Sequence, residues 1–558
     1  MDYQYDVIIV GAGVAGALCA WRLSQQSNLR ILIIDAGANE LDDNQRKEFV
    51  STFAVATNKS QLSPYAKLES NKYAVNQDGG DKFTLNRYYV QPGPDLLKSA
   101  GVRIVGGSTW AWRGNSPRFI PSDFKLKTLY GIAEDWPVTY DDLEPYFCEA
   151  EIALGVAGND AEWANLLEAY RSKPFPMPNI AESYGSQLVR AAIDGMEIDG
   201  KVIKVVSTPQ ARNSQDYDGR PACQGNSNCI PICPSAAKYD ASIHLRKAQA
   251  NGVELRKSSV VTQLKAEANG DVNTVFFKDW STPDKKEQSL TGKIIVLATH
   301  AIETPKLWLF SKLGNKSDQV GRNLMDHLAE EVTGLFPKPV FPFRGPQSTS
   351  SIEVFRDGKF RKFCGAFRMT VGNDAWGRKE HPFKSLENLM VDEKKGIRFG
   401  KALRSVLEDR ITRMVRIGYS TEMLPNKDNR VTLADEKDAF DIIRPKITFK
   451  VDDYSKKALA YGYSVAKRIF DQMKGEEEVD PIAPTLDYNG AGHPMGTCRM
   501  GSNPCTSVVD SQGRSHEHQN LYVVGSSVFV TGATANPTIT IAALALRTAD
   551  AIKSNLTT

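Results

Sequence analysis

The first sixteen residues constrain this chain most, because they carry a strand, a glycine-rich turn and the start of a helix. The apolar run YDVIIV leads into GAGVAG, where Gly11, Gly13 and Gly16 follow the spacing G-x-G-x-x-G. In dinucleotide-binding βαβ units these glycines permit the turn, the approach of a pyrophosphate and close helix–strand packing. A second apolar run, residues 29–34, ends at Asp35, at the distance expected for a ribose-binding carboxylate. The order predicts a parallel α/β sheet that binds FAD or NAD.

The C-terminal end predicts a return to the same cofactor. The stretch NLYVVGS predicts a buried strand that runs into Gly525 and Ser526. Further on, ANPTIT opens a helix whose first turn tolerates Pro537, with Thr538 beside it. The free amides at such a helix start suit an anionic flavin ring. Residues 293–298 predict a third strand, so both ends of the chain are expected to join one discontinuous domain.

Composition excludes several classes of protein. A chain of 558 residues is too long to fold around a single hydrophobic core, so we expect two or more lobes. The chain has 69 Lys and Arg against 66 Asp and Glu and contains no basic tract, so a nucleic-acid partner is not expected. No run of about eighteen apolar residues predicts a membrane span, so any membrane association is expected to occur through a partner. The start of the chain lacks the charged region and cleavage site of a signal peptide, so if the protein works outside the cytoplasm we expect something else to carry it there.

Three cysteines near the middle of the chain form a second motif. In ACQGNSNCIPICP, Cys223, Cys229 and Cys233 are spaced six and four apart, and Pro234 follows. Zinc sites favour shorter gaps and four ligands, and a redox pair would read C-x-x-C. A single disulfide would use two of the thiols and leave the third unpaired. The sequence Cys-Pro is common at the ligands of iron–sulfur clusters. The residues alone allow a cluster and leave the alternatives open.

Several motifs in order resemble the glucose–methanol–choline (GMC) oxidoreductase family from end to end. They are VIIVGAGVAGA, GGSTWAWRGNSPRFIPSDF, ATHAIETPKLWL, HPMGTCRMG and NPTIT, and GRNLMDH fits the subgroup of bacterial membrane-associated FAD-dependent glucose and fructose dehydrogenases. The resemblance implies an α/β fold with a Rossmann-like, discontinuous FAD-binding domain and an α+β substrate lobe with a mainly antiparallel sheet. We expect the FAD domain at 1–329 with a cluster loop at 221–240, the lobe at 330–485, and the return segment at 486–558.

His493 and Asn536 are the expected catalytic pair. A neutral imidazole accepts a hydroxyl proton near neutrality, and a second polar group holds the developing alkoxide. Both residues match the family's pair, and the resemblance implies that the substrate carbon lies over flavin N5. For each residue alone, a bonded core histidine or a helix cap is the alternative.

The resemblance adds further cofactor contacts. Gly106, Gly107 and Ser108 would wrap the flavin and its pyrophosphate, and adjacent glycines allow that close approach. Asn115 would lie near the ring, although a turn role suits it equally well. Val261 would contact the adenine through its backbone.

The resemblance also implies a 3Fe–4S cluster on Cys223, Cys229 and Cys233. Electrons would leave the flavin through it to a multihaem cytochrome c subunit, and a small escort subunit would carry the chain to the periplasmic side of a bacterial inner membrane. A cytoplasmic location is the alternative.

The expected activity is an FAD-dependent dehydrogenase of a sugar or polyol hydroxyl. Glucose C1 is favoured, with fructose, sorbitol and the C3 hydroxyl of glucosides as further substrates. A peroxide-producing oxidase and a non-catalytic flavoprotein subunit are the alternatives.

Overall fold

The structure is a computed structural model of the full chain. It describes residues 3–25, 28–56, 63–65, 88–99, 101–342, 344–374, 389–392, 396–438, 441–477 and 488–557. Within these ranges, no helix is long and apolar enough to cross a membrane.

Helices and strands alternate along the chain. The α-helices are α1 (Val14–Ser24), α2 (Asp43–Val55), α3 (Leu126–Tyr130), α4 (Tyr140–Leu154), α5 (Asp160–Trp163), α6 (Tyr184–Ile193), α7 (Ser242–Ala250), α8 (His300–Phe310), α9 (Gly400–Arg413), α10 (Asp453–Met473) and α11 (Thr538–Thr557). The strands are β1 (Tyr5–Val10), β2 (Ile31–Ile34), β3 (Ala157–Gly158), β4 (Met177–Pro178), β5 (Glu197–Ile198), β6 (Lys201–Val202), β7 (Val205–Ser207), β8 (Glu254–Arg256), β9 (Ser259–Ala266), β10 (Val272–Asp279), β11 (Glu287–Leu297), β12 (Leu328–Leu335), β13 (Ser348–Ile352), β14 (Phe367–Gly372), β15 (Val391–Asp392), β16 (Gly396–Ile397), β17 (Met414–Thr421), β18 (Arg430–Lys437), β19 (Ile443–Thr448), β20 (Glu476–Glu477), β21 (Asn489–Gly490) and β22 (Leu521–Val523).

The first sheet brings distant segments of the chain to one edge. Its order is β8–β2–β1–β11–β10–β9, and β22 also pairs with β11. Strand β1 is parallel to β2 and β11, and β22 is parallel to β11. Residues 7–10, 31–34, 294–297 and 521–523 of these strands are apolar and buried, as parallel strands covered on both faces require. The carboxyl ends of β1, β11 and β22 therefore meet, as predicted from residues 5–10, 293–298 and 520–526.

Strand β11 serves two kinds of pairing. Its second half pairs in parallel with β1, whereas residues 287–291 pair antiparallel with β10, which in turn pairs with β9. Helix α1 packs against α11, and α11 against α4, so the C-terminal helix covers the N-terminal βαβ unit. The predicted discontinuous α/β domain is confirmed in this arrangement of N-terminal, central and C-terminal strands.

The second sheet is antiparallel and has the order β20–β12–β17–β14–β13–β7, with β21 also on β12. Helix α10 packs on β12 and β17 through an apolar face that includes Leu459, Val465 and Ile469. Asp452 caps this helix by accepting a hydrogen bond from the Ser455 amide at 2.7 Å. The predicted α+β lobe with a mainly antiparallel sheet is confirmed in these elements.

The exact division into domains stays a prediction. Strand β7, in the segment assigned to the FAD domain, pairs with β13 of the second sheet. The expected boundary between 485 and 486 lies outside the described residues. Strands β18 and β19 form a separate two-stranded sheet.

Candidate active site

The glycine turn after β1 is packed so tightly that side chains are excluded. Gly11 has φ +104°, and a Cβ there would lie 2.7 Å from the Ala298 carbonyl oxygen at the end of β11. A Cβ on Gly16 would lie 2.0 Å from the carbonyl oxygen of Gly11. Both glycines are therefore needed for helix α1 and strand β11 to approach the turn.

Gly13 faces open space instead. A Cβ on Gly13 would meet no atom within 4 Å, yet the loop of Gly106 and Gly107 lies directly beside it. The Gly106 amide donates to the Ala12 carbonyl at 3.1 Å, and a Cβ on Gly107 would lie 3.2 Å from the Gly13 Cα. Gly525 lies next to the first turn of α1. These bare backbones line a cradle that fits a pyrophosphate at the start of a helix.

Asp35 follows β2 and holds the turn together. Its two carboxylate oxygens accept hydrogen bonds from the Ala12 and Gly37 amides, each at 2.7 Å. Burial raises the pKa of this carboxyl, and these two hydrogen bonds oppose that rise. The Ser259 amide donates to the Asp35 carbonyl at 2.8 Å, which brings the start of β9, and with it Val261, towards the cradle. The ribose and adenine roles of Asp35 and Val261 stay predictions.

Two polar residues of the stretch GGSTWAWRGNSPRFIPSDF, Asn115 and Ser108, lie in different settings. Asn115 is 5% exposed, and its Oδ1 has no hydrogen-bond partner among the described residues. Such an orphaned acceptor fits a site that a polar cofactor completes. Ser108 is exposed, and its hydroxyl accepts a hydrogen bond from the Val102 amide at 3.2 Å.

The structure brings His493 and Asn536 together. The loop after His493 runs beside the loop after β22. The Ser526 hydroxyl donates to the Pro494 carbonyl at 2.7 Å, and the Ser526 carbonyl accepts from the Gly496 amide at 3.0 Å. Asn536 Nδ2 then lies 3.4 Å from His493 Nε2. Pro537 directly precedes α11, which begins at Thr538, rather than lying in its first turn.

A second histidine, His327, contacts His493 on the side away from Asn536. His327 Nδ1 lies 2.9 Å from His493 Nδ1, and its Nε2 lies 2.8 Å from the Gly532 carbonyl oxygen. Burial lowers the pKa of His327, and burial together with His327 lowers the pKa of His493 well below its ordinary value. Both imidazoles are therefore neutral near pH 7, as a proton acceptor requires.

Asp326 fixes the backbone of both histidines. Its Oδ1 accepts hydrogen bonds from the His493 amide at 2.9 Å and the His327 amide at 2.8 Å, and its Oδ2 accepts from the Ser99 hydroxyl. Burial raises the pKa of this carboxyl to about 7. The two imidazoles are thus held in place from a single buried side chain.

Arg368, on β14, fixes the partner amide. Its Nη1 donates to Asn536 Oδ1 at 3.5 Å, and its Nε donates to Glu353 Oε1 at 2.7 Å. Because guanidinium can only donate, the Asn536 carbonyl faces Arg368 and the amide NH₂ faces His493. The site therefore presents the ring nitrogen Nε2 of His493 and the amide N–H of Asn536 side by side.

Sequence reasoning missed His327, Asp326 and Arg368. The first two lie in GRNLMDH, which was used only as a family signature, and their role as supports was not inferred from it. Arg368 lies in a strand of the second sheet with no motif around it. A buried arginine in a strand needs a carboxylate partner, but the sequence does not say which one.

The cysteine loop forms a separate cluster. Cys229 and Cys233 are buried, Cys223 is half-buried, and all eight cysteines of the chain are free of disulfides. The pKa of the Cys223 thiol is raised by burial and by the neighbouring Cys229 and Cys233 thiols, so the three share one environment. No three His, Cys, Asp or Glu side chains of the described residues lie close enough together to hold a single metal ion.

Cations surround this loop. Arg212 is 1% exposed and donates to the Cys229 sulfur at 2.6 Å. Lys238, also 1% exposed, donates to the Cys229 carbonyl at 2.8 Å, and Arg46 donates to the Cys233 carbonyl at 3.1 Å. Arg46 also forms an ion pair with Asp240 at 2.6 Å. The loop is a positively charged interior suited to a negatively charged group.

Comparisons with known proteins agree with this geometry. Two sequence models described as GMC oxidoreductase match residues 126–329 and 425–545, and an NAD(P)-binding Rossmann-like model matches residues 9–39. The chain is 34% identical to the fructose dehydrogenase large subunit of Gluconobacter japonicus over 99% of this chain and 98% of that one. It is 27% identical to the 6'''-hydroxyparomomycin C oxidase of Streptomyces lividus over 100% of this chain and 92% of that one. A crystal structure of formate oxidase shares the fold, with a TM-score of 0.66, 16% identity and coverage of 100% and 99%.

Replacing Gly16 and Gly13 by alanine separates packing from cofactor binding. Gly16→Ala should lower the melting temperature of the cofactor-free protein, because overpacking of this kind costs about 1–3 kcal/mol. Gly13→Ala should leave that temperature unchanged and still lower the FAD content, since its methyl group enters only the open cradle. Thermal unfolding and the ratio of FAD to protein measure both. Equal melting temperatures for the two cofactor-free variants would contradict this account.

Acidification should destabilise the fold. Burial lowers the pKa of His244, His300, His327 and His493, so below about pH 6.5 the unfolded chain binds protons that the folded chain does not. Each such imidazole removes up to ~1.4 kcal/mol of stability per pH unit. Asp326, whose pKa burial raises to about 7, acts in the opposite sense, as do the carboxyls of Asp35, Asp123 and Asp452, whose pKa burial also raises.

Urea midpoints measured from pH 7.5 down to 4.5 test this expectation. The midpoint should fall below about pH 6.5, and the fall should be shallower in His244→Gln. His244 has its pKa lowered to about 3 by burial and bonds to the Tyr239 hydroxyl, away from the catalytic pair. A midpoint that does not change between pH 6.5 and 5 is the result that would refute the prediction.

Proposed function

This chain belongs to the GMC family of FAD-dependent oxidoreductases, and from that premise we propose that it is a dehydrogenase that oxidises a hydroxyl group of a sugar or polyol. The observation that carries the proposal is the distance of 3.4 Å between His493 Nε2 and Asn536 Nδ2 at the carboxyl edge of the first sheet. A proton acceptor and a hydrogen-bond donor side by side are what alcohol oxidation requires.

The roles of the two side chains follow from their orientation. A substrate hydroxyl placed against both would donate its proton to His493 Nε2 and accept a hydrogen bond from Asn536 Nδ2. The asparagine then stabilises the oxygen as negative charge develops on it, while the buried imidazole takes up the proton. FAD, when bound, supplies the acceptor for the hydride that leaves the substrate carbon. The residues that would hold it are Gly11, Gly13, Gly16, Asp35, Gly106, Gly107, Ser108, Asn115, Val261, Gly525, Ser526, Pro537 and Thr538.

The substrate class is supported by the relatives rather than by a described pocket. The relative with 34% identity is named for fructose, and that with 27% identity for a paromomycin derivative. We propose glucose C1 and fructose as the first substrates, followed by sorbitol and the C3 hydroxyl of glucosides.

A substrate panel tests this function. Sugars and polyols are mixed with the FAD-loaded protein without oxygen, and bleaching of the flavin absorbance is followed before the oxidised carbon is identified. We expect at least one sugar or polyol to reduce the flavin, and His493→Ala to slow that reduction by about 10²–10⁴-fold because the general base is lost. If no member of the panel bleaches the flavin of the wild-type protein, the proposed substrate class is wrong.

An oxidase is the second candidate, because the relative from Streptomyces lividus is named as one. The two functions differ in the fate of the electrons. A dehydrogenase needs an added acceptor for turnover, whereas an oxidase turns over in air and releases one hydrogen peroxide per substrate. The peroxide yield in the same panel distinguishes them.

We further propose that Cys223, Cys229 and Cys233 hold a 3Fe–4S cluster. Support comes from their shared environment and from the buried Arg212, Lys238 and Arg46 around them, which suit an anionic cluster. Ligands of a cluster bind different irons and lie farther apart than ligands of one ion, so the missing single-ion site does not contradict a cluster. When bound, the cluster would supply one-electron transfer to an external acceptor.

Replacing Cys229 by serine should separate substrate oxidation from electron export. We expect Cys229→Ser to lose iron and cytochrome-coupled turnover while the sugar still reduces the flavin. Cys505→Ser, at an exposed cysteine outside the loop, is the matched control and should keep its iron. Iron analysis with electron paramagnetic resonance, the reduction of cytochrome c and flavin bleaching measure the three properties. Unchanged cytochrome reduction in Cys229→Ser would rule out the proposed relay.

We also propose that the chain works in a complex. The relative from Gluconobacter japonicus is named a large subunit, which implies further subunits for that protein. For this chain we propose a small escort subunit and a multihaem cytochrome c subunit at the periplasmic side of an inner membrane. Co-expression with candidate subunits, followed by size-exclusion chromatography, tests this assembly.

A further inference from the structure

We propose that His327 is a positioning residue that fixes the tautomer of His493 and leaves the lone pair on Nε2, the nitrogen beside Asn536. The inference rests on the proposed function, because it assigns His493 as the base. It concerns a residue whose ring nitrogens bond to the His493 imidazole and to the Gly532 carbonyl, and which acts through that imidazole.

The first step is the contact between His327 and the backbone. A carbonyl oxygen can only accept, so the Nε2 that lies 2.8 Å from the Gly532 oxygen must carry a hydrogen. The opposite tautomer would place two lone pairs against each other at this distance. Burial lowers the pKa of His327, so the ring is neutral and has one N–H only. Its Nδ1 is therefore an acceptor.

The second step follows at the facing nitrogen. His493 Nδ1 lies 2.9 Å from His327 Nδ1. Because the His327 nitrogen accepts, the His493 nitrogen must donate, and neutral His493 carries its hydrogen on Nδ1. The lone pair of His493 is then on Nε2, towards Asn536.

The contacts on the other side of the pair require the same orientation. Arg368 can only donate, so Asn536 Oδ1 accepts from it at 3.5 Å and the amide Nδ2 donates towards His493 Nε2, 3.4 Å away. If His493 carried its hydrogen on Nε2, two donors would face each other there. The Glu353 carboxylate, 2.7 Å from Arg368 Nε, holds the guanidinium in place.

Together these contacts form one directed row of hydrogen bonds. It runs from the Arg368 guanidinium through Asn536, His493 and His327 to the Gly532 carbonyl, and each side chain between the ends accepts one bond and donates one. A permanent donor begins the row and a permanent acceptor ends it, so only one direction is satisfied. When His493 takes a proton on Nε2, its Nδ1–H bond to His327 stabilises the imidazolium.

Two substitutions at position 327 test the role in the FAD-loaded protein. His327→Leu removes the acceptor, so both tautomers of His493 become populated; we expect flavin reduction by a substrate sugar to slow by about 10²-fold, with little change in KM. His327→Gln keeps a donor for Gly532 and an acceptor for His493, and should restore most of the rate. FAD content and melting temperature, measured in both variants, identify any loss of rate that comes from misfolding.

A readout of the tautomer itself does not depend on substrate. The chain has only 7 histidines, so ¹⁵N-histidine labelling gives few imidazole signals, and His493→Asn identifies that of His493. The wild-type signal should be that of an Nδ1–H imidazole, and His327→Leu should move it towards a mixture. An Nε2–H signal in the wild type, wild-type rates in a folded His327→Leu, or a His327→Gln as slow as His327→Leu would each overturn the proposal. A correct tautomer with no sugar oxidised would instead reject the proposed function alone.

Discussion

The parallel pairing of β1 with β11, and of β11 with β22, is the constraint on which the candidate site depends. It places residues that follow three distant strands at one edge of a sheet, where Gly11, Ala298 and Gly525 lie close to one another. The strands are buried and apolar, so a slip in register would expose apolar surface and break the contact of Gly11 with Ala298. The cofactor cradle is thus a consequence of sheet formation rather than of the glycine motif alone.

The catalytic pair depends on both sheets. The loops of His493 and Asn536 follow the carboxyl edge of the first sheet, whereas His327 directly precedes β12 and Arg368 lies on β14 of the second sheet. The hydrogen bonds between these groups therefore cross the junction of the two lobes. Docking of the lobes therefore orients the hydrogen-bonding groups of the candidate site.

The sequence predicted much of this arrangement from local patterns. The alternation of strand, glycine turn and helix is decided by neighbours in the chain, so β1, α1 and β2 were found within a few residues. His493 and Asn536 were found because they stand in dense motifs. His327 and Arg368 were not recognised, since an isolated histidine or arginine is more often a surface or packing residue, and the residues of the candidate catalytic pair that they contact are more than 150 residues away.

The amino-acid sequence by itself determined the fold class, and it predicted the glycine cradle and the candidate catalytic pair, because each depends on residue types at short spacing. It also predicted that three cysteines act together, but not the buried cations around them. Only the tertiary structure decided the direction of the hydrogen bonds through His493. A tautomer is set by the donors and acceptors that surround a ring, and for His493 these are His327 and Asn536, which come from two other segments of the chain.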